Sequence, residues 1–204
     1  MHITEEKSPF YCIFTDEATT EIVDRATEIL YNQEFDFARG FENFKHCRLK
    51  NIDCNKLIGL SPLRFLSHKC SRPYASIFST QAGHYYQAHK DGQTIRYALN
   101  YILDAGDGVC ETHWYSDEVA RNYQMNLLGG SSRELDNFDP DQHQPLQTAV
   151  FQNSQAVLIN TDLYHDFDNR TNTKSRHVLT LRFSAPPDFY FEHALSEIKK
   201  YASS

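Results

Sequence analysis

Between residues 74 and 184 the chain is a succession of short apolar and aromatic segments separated by turn-forming residues, and this rhythm limits the available folds more than any other feature. Residues 75–80, 85–88, 96–103 and 109–115 are rich in β-branched and aromatic side chains, which suit a pleated, half-buried surface. Asp104-Ala105-Gly106-Asp107-Gly108 reads as the turn between the third and fourth of these. Two further strands are expected near 148–152 and 155–160, and residues 176–184 close the series. Upstream, residues 9–14 read as one more strand. Thr15 or Asp16 then caps a helix that runs to about Asn32, its buried stripe being Ile22, Val23, Ala26, Ile29 and Leu30.

Other stretches are less regular. Residues 33–56 show no clean period, and residues 57–66 read as a short helical or irregular piece interrupted by Pro62. Residues 116–145 lose alternation and hold Gly129-Gly130-Ser131-Ser132, a length that marks a functional lid or a disordered segment. Pro186-Pro187 breaks the sheet, and residues 192–201 form a terminal helix. Eight or so short strands under N-terminal covering helices predict a mainly β protein, a double-stranded β-helix of the jelly-roll or cupin-like kind. Its 204 residues are expected to form a single domain, 1–204, with a core at about 70–190.

Composition narrows the partners. The formal charge is −7, and Lys and Arg are scattered without a basic stripe, so a nucleic-acid partner is disfavoured. No window reaches the roughly eighteen apolar residues of a membrane span. Five cysteines, an odd number, and an N-terminus without a signal-peptide pattern predict a reducing cytoplasm. His46, Cys47, Cys54, His68 and Cys70 have no zinc-knuckle spacing and read as free thiols and ordinary histidines.

Chemistry concentrates in Tyr85-Tyr86-Gln87-Ala88-His89-Lys90-Asp91-Gly92. Side chains at i and i+2 of a strand share a face, so His89 and Asp91 can grip one cation from one side. His165, at the end of another apolar run, is the expected third ligand. Two imidazoles and one carboxylate with the remaining positions open are the facial triad of non-haem Fe(II) oxygenases. His113 competes for the third place, but no arginine follows it at a suitable distance. The segment 176–184 puts Leu179, Leu181 and Phe183 on one face and Arg176, Thr180 and Arg182 on the other, where a guanidinium offers a carboxylate two parallel bonds.

His-x-Asp, a distal His and an Arg eleven residues beyond it resemble the Fe(II)- and 2-oxoglutarate-dependent dioxygenases, most of all their prolyl-hydroxylase-like branch. The resemblance implies His89, Asp91 and His165 as iron ligands and Arg176 as the partner of the distal carboxylate of 2-oxoglutarate. Thr180 can add a hydroxyl. The tyrosine that helps hold the co-substrate in prolyl hydroxylases has no clear counterpart, which leaves Tyr101 or Asn100 for that task. Arg182 is the candidate for a carboxylate on the primary substrate, with a surface ion pair as its other reading, and Trp114 either walls the pocket near its mouth or belongs to the core. Expected cofactors are Fe(II), 2-oxoglutarate and O2, and the expected reaction is hydroxylation of a small amino-acid-like metabolite or a peptidyl side chain. The alternatives are a cupin-type metal barrel with other chemistry and a catalytically silent binding module. Substrate identity and oligomeric state are not legible.

Overall fold

The computed structural model describes residues 1–15, 17–32, 44–49, 51–128 and 132–202. Asp16, the alternative helix cap, residues 33–43, and Gly129, Gly130 and Ser131 of the expected lid lie outside them, as do the side chains of His46 and Cys47. Cys54 and Cys70, also considered as zinc ligands, are buried and reduced.

Strands β1 (His2–Lys7) and β2 (Tyr11–Thr15) lead into helix α1 (Ala18–Asn32). After β3 (Phe44–Arg48) comes α2 (Asn51–Leu60), which stops just before Pro62 as expected, and Pro62 then opens a short 3-10 helix, Pro62–Leu66. The reason is local: Ser61 caps that turn by accepting the Leu63 N–H, and proline at a first helical position gives up no hydrogen bond. The barrel follows as β4 (Ser71–Thr80), β5 (Tyr85–Lys90), β6 (Tyr97–Asp104), β7 (Glu111–Tyr115), β8 (Met125–Leu128), β9 (Ser132–Leu135), β10 (Gln147–Val150), β11 (Ala156–Asn160), β12 (Tyr164–Asp168) and β13 (Arg176–Ser184), and α3 (Phe191–Ala202) ends the chain. Residues 116–145 contain the β8–β9 hairpin, where alternation fails because the strands are only four residues each.

Among the described residues the strands form two antiparallel sheets, of order β1-β2-β11-β6-β13-β4-β3 and β10-β7-β12-β5-β9-β8. This is a mainly β jelly-roll of the cupin-like kind. Alternation then sorts the side chains. Leu99, Tyr101, Leu179 and Leu181 lie on the outer face of the larger sheet, in one apolar cluster with Ile22 and Ala26 of α1, Leu57 of α2 and Leu195 of α3. Ala98, Ile102, Val157, Ile159 and Val178 point the other way and meet Trp114 of the smaller sheet. A third cluster, Ala88, Tyr115, Leu135, Phe138 and Tyr164, covers the outside of the smaller sheet. The interior between the sheets is therefore the face carrying the even-numbered residues of β6 and β13, which fixes what can line a site.

Candidate metal and co-substrate site

His89 of β5 and His165 of β12 are directly opposed in the ladder, with ring centroids 4.3 Å apart. The pairing slips between His165 and Phe167, so four residues of β5, Tyr86 to His89, face three of β12, His165 to Phe167. That extra residue is a bulge, and it turns Tyr86 onto the same face as His89, edge to ring at 4.4 Å.

Each imidazole is locked by the carbonyl two residues before it. His89 Nδ1 is 2.9 Å from the Gln87 carbonyl oxygen, and His165 Nδ1 is 2.9 Å from that of Leu163. A carbonyl oxygen only accepts, so Nδ1 carries the proton in both rings and Nε2 keeps its lone pair. Burial, together with the neighbouring His165, pushes the pKa of His89 down to about 3, and burial also lowers that of His165. Both rings are neutral at physiological pH. Two neutral imidazoles with bare Nε2 atoms are what a divalent transition metal binds.

Asp91 lies two residues on, and its Oδ2 accepts from a terminal nitrogen of Arg182 at 2.9 Å. Burial raises its carboxyl pKa, but the guanidinium charge outweighs this and holds it below the usual carboxylate range. Among the described residues no three His, Cys, Asp or Glu side chains converge into a ready cation cage. The two imidazoles meet, while the carboxylate turns its Oδ2 to Arg182. Arg182 is thus paired inside the protein through one terminal nitrogen, while its Nε is buried without a hydrogen-bond partner among the described residues.

Arg176 is 5 % exposed. It makes no hydrogen bond or ion pair among the described residues, and its guanidinium lies over the Phe167 ring at 4.9 Å. Phe167 in turn is 5.6 Å from the His165 ring and 6.2 Å from the His89 ring, centroid to centroid. One aromatic ring therefore separates the histidine pair from a buried cation without a counter-ion. Thr180 faces Asn100 and Ser76 in the ladder on that same interior face, and the Asn100 side-chain oxygen is buried without a hydrogen-bond partner. Tyr101 is one residue out of phase, on the helix-covered side, and so is removed from the residues that can reach the interior. Trp114 is wholly buried, its indole N–H donating to the Asn160 carbonyl and its ring stacked on Tyr11, so it is a core aromatic and not a wall at the mouth.

His113 lies elsewhere. Its ring is held by Asp166 at 2.7 Å and Glu111 at 3.2 Å, and Asp166 also accepts the Tyr115 hydroxyl at 2.7 Å. Two residues near the histidines escaped the sequence reading. Phe167 is signalled by its i+2 spacing from His165. Glu134 has no such signal; it sits opposite His89 in the ladder and is 5 % exposed, and burial, with Asp136 nearby, raises its carboxyl to about 7.

No protein-family model and no curated protein sequence matches the chain. Solved structures do. HygX from Streptomyces hygroscopicus, with nickel, 2-oxoglutarate and hygromycin B bound, superposes with a TM-score of 0.59 over 88 % of this chain and 84 % of HygX at 11 % identity. HygX with nickel and 2-oxoglutarate gives 0.54 over the same shares at 10 % identity. A Pseudomonas putida prolyl-4-hydroxylase gives 0.53, covering 88 % of this chain and 94 % of the hydroxylase at 11 % identity. At these identities the likeness is one of fold: the chain has a 2-oxoglutarate-oxygenase-like fold. Among the described residues no helix is long and apolar enough to cross a membrane.

Proposed function

We propose that this protein is an Fe(II)- and 2-oxoglutarate-dependent dioxygenase that hydroxylates an aliphatic carbon of a small amino-acid-like metabolite or a peptidyl side chain. The observation that carries the reading is Arg176: a guanidinium buried inside the barrel, paired with no carboxylate among the described residues, one ring away from two metal-competent imidazoles. Burying a cation costs several kcal/mol unless an anion accompanies it, so such a residue is best explained by a ligand that brings the negative charge.

The side chains fit the proposed cofactors. His89 and His165 supply Nε2 lone pairs, and Asp91, kept ionised by Arg182, supplies a carboxylate oxygen. Iron(II) and 2-oxoglutarate bound there supply oxidation of an unactivated C–H bond by O2, with succinate and carbon dioxide as co-products. Arg176 receives the distal carboxylate through two parallel N–H donors, and Thr180 and Asn100 line the interior with a hydroxyl and an amide. Phe167, with Val178 and Ile102 nearby on that face, keeps water from the ion pair and so strengthens it.

Calorimetric titration with 2-oxoglutarate in the presence of Ni(II), together with an iron-dependent succinate assay, tests this. Arg176→Met is expected to weaken 2-oxoglutarate binding about 100-fold, the value of a buried charge-assisted pair, with little change in melting temperature. Unchanged affinity in that variant would overturn the assignment, and a wild-type chain that neither binds nor turns over 2-oxoglutarate would leave a cupin-type barrel with other chemistry.

A further inference from the structure

Once Arg176 and Arg182 have been assigned, the charge left over inside the barrel is negative. Glu134 of β9 is the ladder partner of His89, and directly opposed residues in an antiparallel pair share a face. The next residue, Leu135, lies in the cluster on the outside of the smaller sheet, so alternation sends the Glu134 side chain inward. Glu134 is 95 % buried, and no described side chain is hydrogen-bonded or ion-paired to it; the side chain of Asn126, opposite it in β8, lies outside the described residues. The cations nearby are occupied. Arg182 is bonded to Asp91, and Lys90 is on the outer face, where it pairs with Asp117 at 2.8 Å and lies over the Tyr164 ring.

A buried carboxylate without a partner is costly for the free protein, by the same argument that applies to Arg176. The two differ in which ligand relieves them: Arg176 requires an anion, which the co-substrate provides, and Glu134 requires a cation. An anionic primary substrate would meet Glu134 with only the Nε of Arg182, whose charge is already shared with Asp91, to offset it. From this geometry we infer that the primary substrate carries a protonated amine or a guanidinium, which Glu134 receives beside His89. The inference rests on the oxygenase reading for the role of Arg176. A free amine and a lysyl or arginyl side chain present the same group, and the test separates them.

The test is a binding panel on the full chain, measured by ligand-observed NMR with and without Ni(II) and 2-oxoglutarate. The probes are n-butylammonium, n-butylguanidinium, butanol and butyrate, with Gly-Gly-Lys-Gly-Gly and its norleucine counterpart for the peptidyl case. The expected result is a preference of about tenfold or more for a cationic probe over butanol and butyrate, abolished in Glu134→Gln. Preference for the lysyl peptide over the small cations assigns a peptidyl source; the reverse assigns a free metabolite. Glu134→Gln keeps the side-chain shape and removes an unpaired buried charge, so its melting temperature should be equal to or above wild type, and the wild-type panel decides the question without any variant. Cationic probes that bind no better than butanol, or a preference that survives in Glu134→Gln, overturn the inference. If 2-oxoglutarate binds and the cation preference is missing, this inference alone fails; if the preference is present and 2-oxoglutarate does not bind, it is the oxygenase reading that fails.

Discussion

Replacing Arg182 with Met tests how the interior is held together. The substitution keeps most of the aliphatic body and deletes the guanidinium, which lies over the Phe78 ring at 5.4 Å and contacts Asp91 at 2.9 Å. Both side chains are well buried, at 16 % and 13 % exposure, so the orphaned carboxylate cannot recover its hydration. Breaking a buried pair from one side costs about 3–5 kcal/mol. The lower end applies here because Arg182 makes a single bond to Asp91 and its Nε is already without a partner. About 3 kcal/mol corresponds to a fall of roughly 6–12 °C in melting temperature for a chain of this length. A double-mutant cycle with Asp91→Asn, followed by urea unfolding with chelator present, isolates the pair. The single variants should each destabilise and the double variant should lose little more than either, giving a coupling energy of about 2 kcal/mol. A coupling below about 0.5 kcal/mol, as for an exposed ion pair, would refute the view that Arg182 is the internal partner of Asp91.

Other outcomes follow from the same structure. Arg176→Met should change unfolding free energy by less than about 1 kcal/mol in the absence of ligand, since it removes a buried charge that has no protein partner; a loss above about 3 kcal/mol in a urea melt would show that Arg176 is structural. The pKa of His113 is raised: burial works against this, but Asp166 and Glu111 outweigh it. A histidine whose folded pKa is raised contributes stability that is present below its unfolded pKa and lost as pH climbs through the folded one. The stability gap between wild type and His113→Phe should therefore narrow as pH rises above the unfolded histidine value of about 6.5, and a gap constant with pH would contradict the pairing. Gly106 has φ +89°, and a Cβ there would lie 2.6 Å from the Asn172 side-chain oxygen. Gly106→Ala should cost about 2 kcal/mol or more in thermal unfolding, part of it restored by Asn172→Ala; a silent Gly106→Ala would show that the turn accommodates the methyl.

Much of this protein was legible in the residues because the side-chain period of a strand is two. Leu179, Leu181 and Phe183 against Arg176, Thr180 and Arg182 divide as written in the sequence, and so does the apolar stripe of α1. The sequence also picked out His89 and His165, since each ends an apolar run, and the ladder puts them opposite one another. Alternation along one strand, however, says only which residues share a face. It does not say which of the two faces is covered by helices, and so Tyr101 and Asn100 stood as equals until the packing of α1, α2 and α3 buried the first and turned the second inward. The bulge that brings Tyr86 beside His89, the bond that draws Arg182 to Asp91 and the ladder position that gives Glu134 its place are contacts between segments far apart in the chain. Local propensity carries no information about such meetings; they depend on which strands become neighbours when the two sheets close.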